Sequence, residues 1–206
     1  LEFVCTVSEE VGMEGASSID VSMLKGKKLL NMDSEEEGIM LASCAGGCSS
    51  RVTLKLDKNK VTGTKLSITL SGLTGGHSGV EIDKGRGNAN VLMSRILRDV
   101  VADNNVYLAA FNGGRKDNAI PRECMAEIIV AADKAADVKA AIENTAKEIK
   151  EEFATSDADL KCVVDISEGC SAEAVTYEDS IRAVSLIQSL PNGIMRMSQD
   201  IDNLVE

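Results

Sequence analysis

Histidine, tryptophan and proline are nearly missing from this chain: 206 residues hold one His, no Trp and two Pro, and aromatics make up only 2%. Without rings, the core has to be built from Leu, Ile, Val, Met and Ala. Positive charge is also short, with 22 Lys and Arg against 33 Asp and Glu, a formal net charge of -11. That field repels a phosphate backbone, so no nucleic-acid partner is expected, and acidity on this scale serves solubility. No apolar run approaches the ~20 residues of a membrane-spanning helix, so no membrane partner is expected. There is neither an initiator Met nor a basic-then-apolar leader before Leu1, and the chain reads as cut from something longer. The six cysteines are scattered, and only Cys44 and Cys48 lie close together. With no second Cys or His pair at zinc-finger spacing, reduced and mostly buried thiols of a cytoplasmic protein are expected. What remains, 44% hydrophobic and 27% charged residues, is the make-up of a globular protein.

Residues 1–7 read as a buried strand ending at Ser8-Glu9-Glu10, and residues 28–32 as a second apolar strand ending at Asp33. Two apolar strands that deliver carboxylates at their C-terminal ends predict part of an open α/β sheet, whose ligands sit beyond those ends. From about residue 50 the pattern changes. Residues 52–56 and 65–70 alternate polar and apolar side chains, the period of half-exposed antiparallel strands. A Gly-rich loop spans residues 72–87, and Asn88 is an N-cap for a helix with the apolar face Leu92, Ile96, Leu97, Val100 and Val101. Strands follow at 106–111 and 124–131, a helix at 135–153, a strand at 160–166 and a helix at 177–190. Strand, helix, strand, strand, helix, strand is the βαββαβ order of a ferredoxin-like α+β sandwich.

Glu9 and Glu10 stand side by side where the first strand ends, and Asp33 stands at the end of the second. Such oxygen ligands suit a two-metal hydrolase, with one carboxylate binding metal and its neighbour holding a water; they equally suit a solvated turn. His77, the lone histidine, lies in Gly75-Gly76-His77-Ser78-Gly79. A serine-nucleophile elbow fails because Val80 stands where a Gly is needed. A Ser78–His77 pair fails because neighbours on an extended segment point opposite ways. A phosphate site at Gly85-Arg86-Gly87-Asn88 lacks the fuller motif. What is left is an imidazole donor to a developing oxyanion. Asn118 adds an amide donor, and Arg115 or Arg122 is either a carboxylate ligand or an exposed charge.

Thr6-Val7-Ser8-Glu9-Glu10-Val11-Gly12-Met13-Glu14-Gly15-Ala16, Asn31-Met32-Asp33-Ser34-Glu35-Glu36-Glu37-Gly38, Gly72-Leu73-Thr74-Gly75-Gly76-His77-Ser78-Gly79 and Asn118-Ala119-Ile120-Pro121-Arg122-Glu123 together resemble, in order, the motifs of bacterial Xaa-His dipeptidases. These are two-zinc metallopeptidases with a lid domain that also dimerises. The resemblance implies that Glu9 is the general base and acid, that Glu10 and Asp33 each ligate a zinc, and that His77 polarises the scissile carbonyl, often from the dimer partner's lid. It implies further that Asn118 and Arg122 hold the dipeptide substrate, that the protein is a cytoplasmic homodimer, and that two Zn bind each full-length subunit.

The family's His-x-Asp motif, its metal-bridging Asp and its C-terminal His ligand have no counterpart here. Residues 1–48 are therefore expected to be part of a catalytic domain and residues 49–206 most of a lid and dimerisation domain, the piece alone being inactive. A related metallopeptidase or amidohydrolase of other specificity, and a non-catalytic dimerisation module, fit the same residues.

Overall fold

The computed structural model describes residues 1–206 apart from 10–11, 33–36, 42–45, 103–104, 203 and 206. The chain divides into two units, Leu1–Arg51 and Val52–Glu206.

In the first unit a short helix, α1 (Glu14–Ser18), and a 3-10 turn at Val21–Met23 are the regular elements among the described residues. The Glu2 carboxylate accepts the Lys25 and Gly26 N–H groups, the latter at 2.7 Å. The strands expected at 1–7 and 28–32 are not formed, and Phe3, Leu29 and Leu30 are exposed. The reason is physical. An apolar strand needs neighbours to complete its hydrogen-bond ladder and a face to bury, and the described residues of this unit supply neither.

The second unit carries the expected α+β fold. A four-stranded antiparallel sheet is built from β1 (Lys58–Ser71), β3 (Tyr107–Gly113), β5 (Cys124–Val130) and β6 (Lys161–Val175), in the order β3-β5-β1-β6. A separate ribbon pairs β2 (Gly76–His77) with β4 (Ala119–Ile120). Helices α2 (Ala89–Val101) and α3 (Ala135–Glu152) make the two crossovers, and α4 (Tyr177–Ser189) packs on α2. Counting only the four long strands, the order is second, third, first, fourth, which is the ferredoxin-like arrangement.

Alternation on β1 builds the core: Thr64, Leu66, Ile68 and Leu70 are buried, while Lys65, Ser67, Thr69 and Ser71 between them are partly exposed. The buried row meets Leu92, Met93, Ile96, Leu97 and Val100 of α2 and Val138, Ile142 and Ile149 of α3 in one apolar cluster. On the opposite face Lys65 and Glu127 pair at 2.8 Å. The edge strand β3 has a register shift between Leu108 and Ala110. There the Leu108 N–H donates to the buried Ser180 hydroxyl of α4 at 2.8 Å, so a side chain replaces the missing strand neighbour.

Two strands run longer than expected. β1 begins at Lys58 rather than Lys65, and β6 continues to Val175; their outer halves pair from Lys58↔Val175 to Gly63↔Cys170. Residues 52–56 form no strand. The thiols also differ from expectation: of the described cysteines only Cys124 is buried, whereas Cys5 and Cys48 are exposed. No helix among the described residues is long and apolar enough to cross a membrane.

Candidate functional site

His77 stands on β2, presented by the loop that leaves β1. Gly72, at φ +81, makes the exit turn so close to the Asp159 backbone carbonyl that a Cβ would strike it. Gly76, at φ +139, likewise leaves room for the Arg86 guanidinium and the Glu81 carboxylate. These two side chains brace the histidine. Glu81 Oε2 accepts the His77 backbone N–H at 2.9 Å, and Arg86 Nη1 donates to Glu81 Oε1 at 2.9 Å and to the Gly75 carbonyl at 2.6 Å. The His77 N–H above all, and then the Arg86 guanidinium, hold the Glu81 carboxyl below its ordinary range.

The ring itself is oriented. His77 Nδ1 accepts the Gly79 N–H at 3.0 Å and the Val80 N–H at 3.2 Å. A nitrogen that accepts carries no proton, so the neutral imidazole bears its hydrogen on Nε2. The side chain is exposed, and Nε2–H is its outward donor.

The ribbon brings residues 118–120 alongside. His77 pairs with Ala119, and the Ser78 N–H donates to the Asn118 carbonyl at 2.9 Å. The contact that joins Asn118 to the histidine loop is thus its backbone, which leaves the exposed amide side chain free of that duty. Arg122 is exposed, and its Nε donates to the Leu73 carbonyl at 3.3 Å. A cleft of about 450 Å³ lies along Gly72, Leu73, Ile120 and Arg122, with Arg115 and Lys116 on its wall. Arg115 is ion-paired with Glu123 at 2.5 Å, whereas Arg122, which also lines the cleft, is in none of the ion pairs found among the described residues.

In the first unit Glu9 is exposed, and its carbonyl accepts the Gly12 and Met13 N–H groups at 3.3 and 3.1 Å. Glu10 and Asp33, the zinc ligands implied by the resemblance, lie outside the described residues. Among the described residues no group of three or more His, Cys, Asp or Glu is placed to hold a metal ion, so they do not by themselves make a zinc site. The Glu81–Arg86 brace was not read from the sequence. Gly85-Arg86-Gly87-Asn88 was weighed there as a phosphate site, and nothing in it named Glu81 as the partner of Arg86.

Residues 68–157 match the peptidase dimerisation domain of the M20 family. This chain carries an M20 peptidase dimerisation domain. Over its whole length the chain is 40% identical to the cytosol non-specific dipeptidase of Escherichia coli (strain K12), spanning 43% of that relative's length. The crystal structure of aminoacylhistidine dipeptidase from Vibrio alginolyticus superposes with a TM-score of 0.72 at 29% identity, over 98% of this chain and 41% of that one. The chain therefore spans less than half the length of either dipeptidase. The matched residues run from within β1 through the His77 ribbon, α2, β3, β5 and α3 to the turn that carries Asp157.

Proposed function

We propose that this chain forms the lid and part of the catalytic domain of a cytoplasmic, metal-dependent M20 dipeptidase acting on Xaa-His dipeptides, and that its lid domain pairs two subunits. The observation that carries the reading is the His77 ring, whose Nδ1 is occupied by two backbone N–H groups. Its Nε2–H is thereby kept as a donor for an oxygen that gains negative charge, and a donor fixed before the reaction needs no reorganisation when the charge develops.

In this reading the substrate's carboxylate sits against Arg122 and its backbone amide against Asn118. His77 Nε2–H donates to the scissile carbonyl oxygen and follows it to the tetrahedral state. Glu9 takes the proton of the attacking water and returns one to the leaving amine. Glu10 and Asp33 are proposed as ligands of the two zinc ions. The described residues assemble no metal cluster, so the chemistry derived from this structure is that of the lid.

A second specificity is favoured by one observation: the E. coli relative is a non-specific dipeptidase, while the superposed Vibrio enzyme is an aminoacylhistidine dipeptidase. A panel of Xaa-His, other dipeptides and N-acyl amino acids, offered to the full-length gene product with and without zinc, separates the two. Hydrolysis confined to Xaa-His supports the narrower reading and turnover across dipeptides the broader one. Absence of hydrolysis with any metal would leave a dimerisation module and refute both. In an active enzyme His77→Ala is expected to lower kcat about 10²–10³-fold.

A further inference from the structure

Asp157 is fully buried, and no cation faces it among its described partners. Its carboxylate is satisfied by neutral donors from three places. Oδ1 accepts the Thr74 N–H at 2.8 Å, and Oδ2 accepts the Gly87 N–H at 2.9 Å and the Ser156 hydroxyl at 2.8 Å. The Thr74 hydroxyl returns a bond to the Ser156 carbonyl at 2.7 Å. Thr74 and Gly87 are the two ends of the loop that carries His77, Glu81 and Arg86. One side chain, arriving from the turn after α3, thus holds both ends of that loop.

A buried carboxylate is costly unless every oxygen is satisfied, and here the donors that satisfy it are the loop's own ends. A loop whose ends are fixed samples fewer conformations than one held by chain connectivity alone. The Glu81–Arg86 brace works inside the loop and sets the ring relative to its own backbone. Asp157 works at the base and sets the loop relative to the sheet. We infer that Asp157 is a positioning residue for the reaction: by pinning Thr74 and Gly87 to the body of the domain it fixes where His77 stands. The inference rests on the reading of His77 as the oxyanion donor.

The test is a double-mutant cycle in the full-length enzyme. Asp157→Asn keeps the shape but turns one accepting oxygen into a donor, so one end of the loop loses its tie. It is expected to lower kcat about 10- to 100-fold with little change in KM, since a displacement of about 1 Å is felt on that scale. In a His77→Ala background the same substitution is expected to change kcat less than about twofold, because its effect passes through the ring. Amide hydrogen exchange at Ser78, Val80 and Ile82 should quicken in Asp157→Asn, while Leu66 and Ile68 on β1 exchange as before.

An equal loss of kcat in both backgrounds would mean that Asp157 supports the fold generally, and would overturn the inference. So would undiminished kcat in Asp157→Asn, or unchanged exchange across the loop. If His77→Ala keeps full activity, the oxyanion reading itself falls and the catalytic role of Asp157 falls with it, whatever the exchange data show at the loop. Should Asp157→Asn fail to accumulate folded, Thr74→Val cuts the adjoining tie to the Ser156 carbonyl. Its kcat loss has to vanish in the His77→Ala background in the same way, and a loss that persists there overturns the inference.

Discussion

The backbone N–H of His77 donates to the carboxylate of Glu81 four residues later, at 2.9 Å, and Arg86 closes the arrangement from the other carboxylate oxygen. Glu81→Ala removes both contacts and leaves the Arg86 guanidinium with the Gly75 carbonyl as its recorded partner. In the full-length enzyme, steady-state kinetics are expected to show kcat lowered about 10-fold with KM little altered. Unchanged kcat would show that the ring is held by Gly79 and Val80 alone.

The same contact has a pH sign. The folded Glu81 value lies below the ordinary 4.5, so its contribution is present above about pH 4.5 and is lost as the pH falls further and the carboxyl protonates. The protection of the His77 amide relative to its intrinsic exchange rate, followed by NMR from pH 6 to 3, should fall in the lower part of that range. In Glu81→Gln that step should be absent.

At Gly76 a side chain would meet both Arg86 and Glu81, and φ is +139. Gly76→Ala is expected to cost about 1–3 kcal/mol, the range for strained backbone positions, and to displace the histidine as well. Urea denaturation measures the first effect and kcat the second. A neutral substitution would show that the brace gives way freely.

Asn88 Oδ1 accepts the N–H groups of Asn90 and Val91 at 3.0 and 3.4 Å, which satisfies two of the open donors at the start of α2. Asn88→Ala is expected to cost about 1 kcal/mol and to lower the melting temperature by about 2–4 °C. Differential scanning calorimetry decides it.

Burial pushes the Cys124 thiol up to about 12 and the Cys162 thiol up to about 11. Both should stay protonated and unlabelled at pH 8 by a thiol reagent that reaches the exposed Cys5 and Cys48. Because both values lie above the ordinary 9.0, the unfolded chain releases these protons first. Stability is full below about pH 9 and falls as pH rises toward the folded values. Rapid labelling of Cys124 in the native protein would contradict its buried position.

Much of this fold was legible because its core strands alternate cleanly. Leu66, Ile68 and Leu70 announced β1, and the spacing of Leu92, Ile96 and Val100 announced α2. The outer halves of β1 and β6 were not legible: Lys58-Asn59-Lys60 and Ser171-Ala172-Glu173 have little apolar content, and it is the ladder between them that makes them strands. The opposite error came at residues 1–7, where an apolar run was read as a strand but has no ladder to join. At the site, the Gly-rich setting singled out His77. The tie between Thr74 and Asp157 spans 83 residues of sequence, and no local period encodes a pairing at that distance. Glu10 and Asp33 were singled out by their places after apolar runs as well as by family motifs, and they lie outside the described residues.

The apolar cluster that begins at Leu56 and Leu66 and ends at Val184 draws on no residue of the first unit among those described. Such a body is a cassette in the evolutionary sense. Recombination at a joint near Arg51 would leave its interior intact, so the same domain can be inherited beside neighbours that diverge freely.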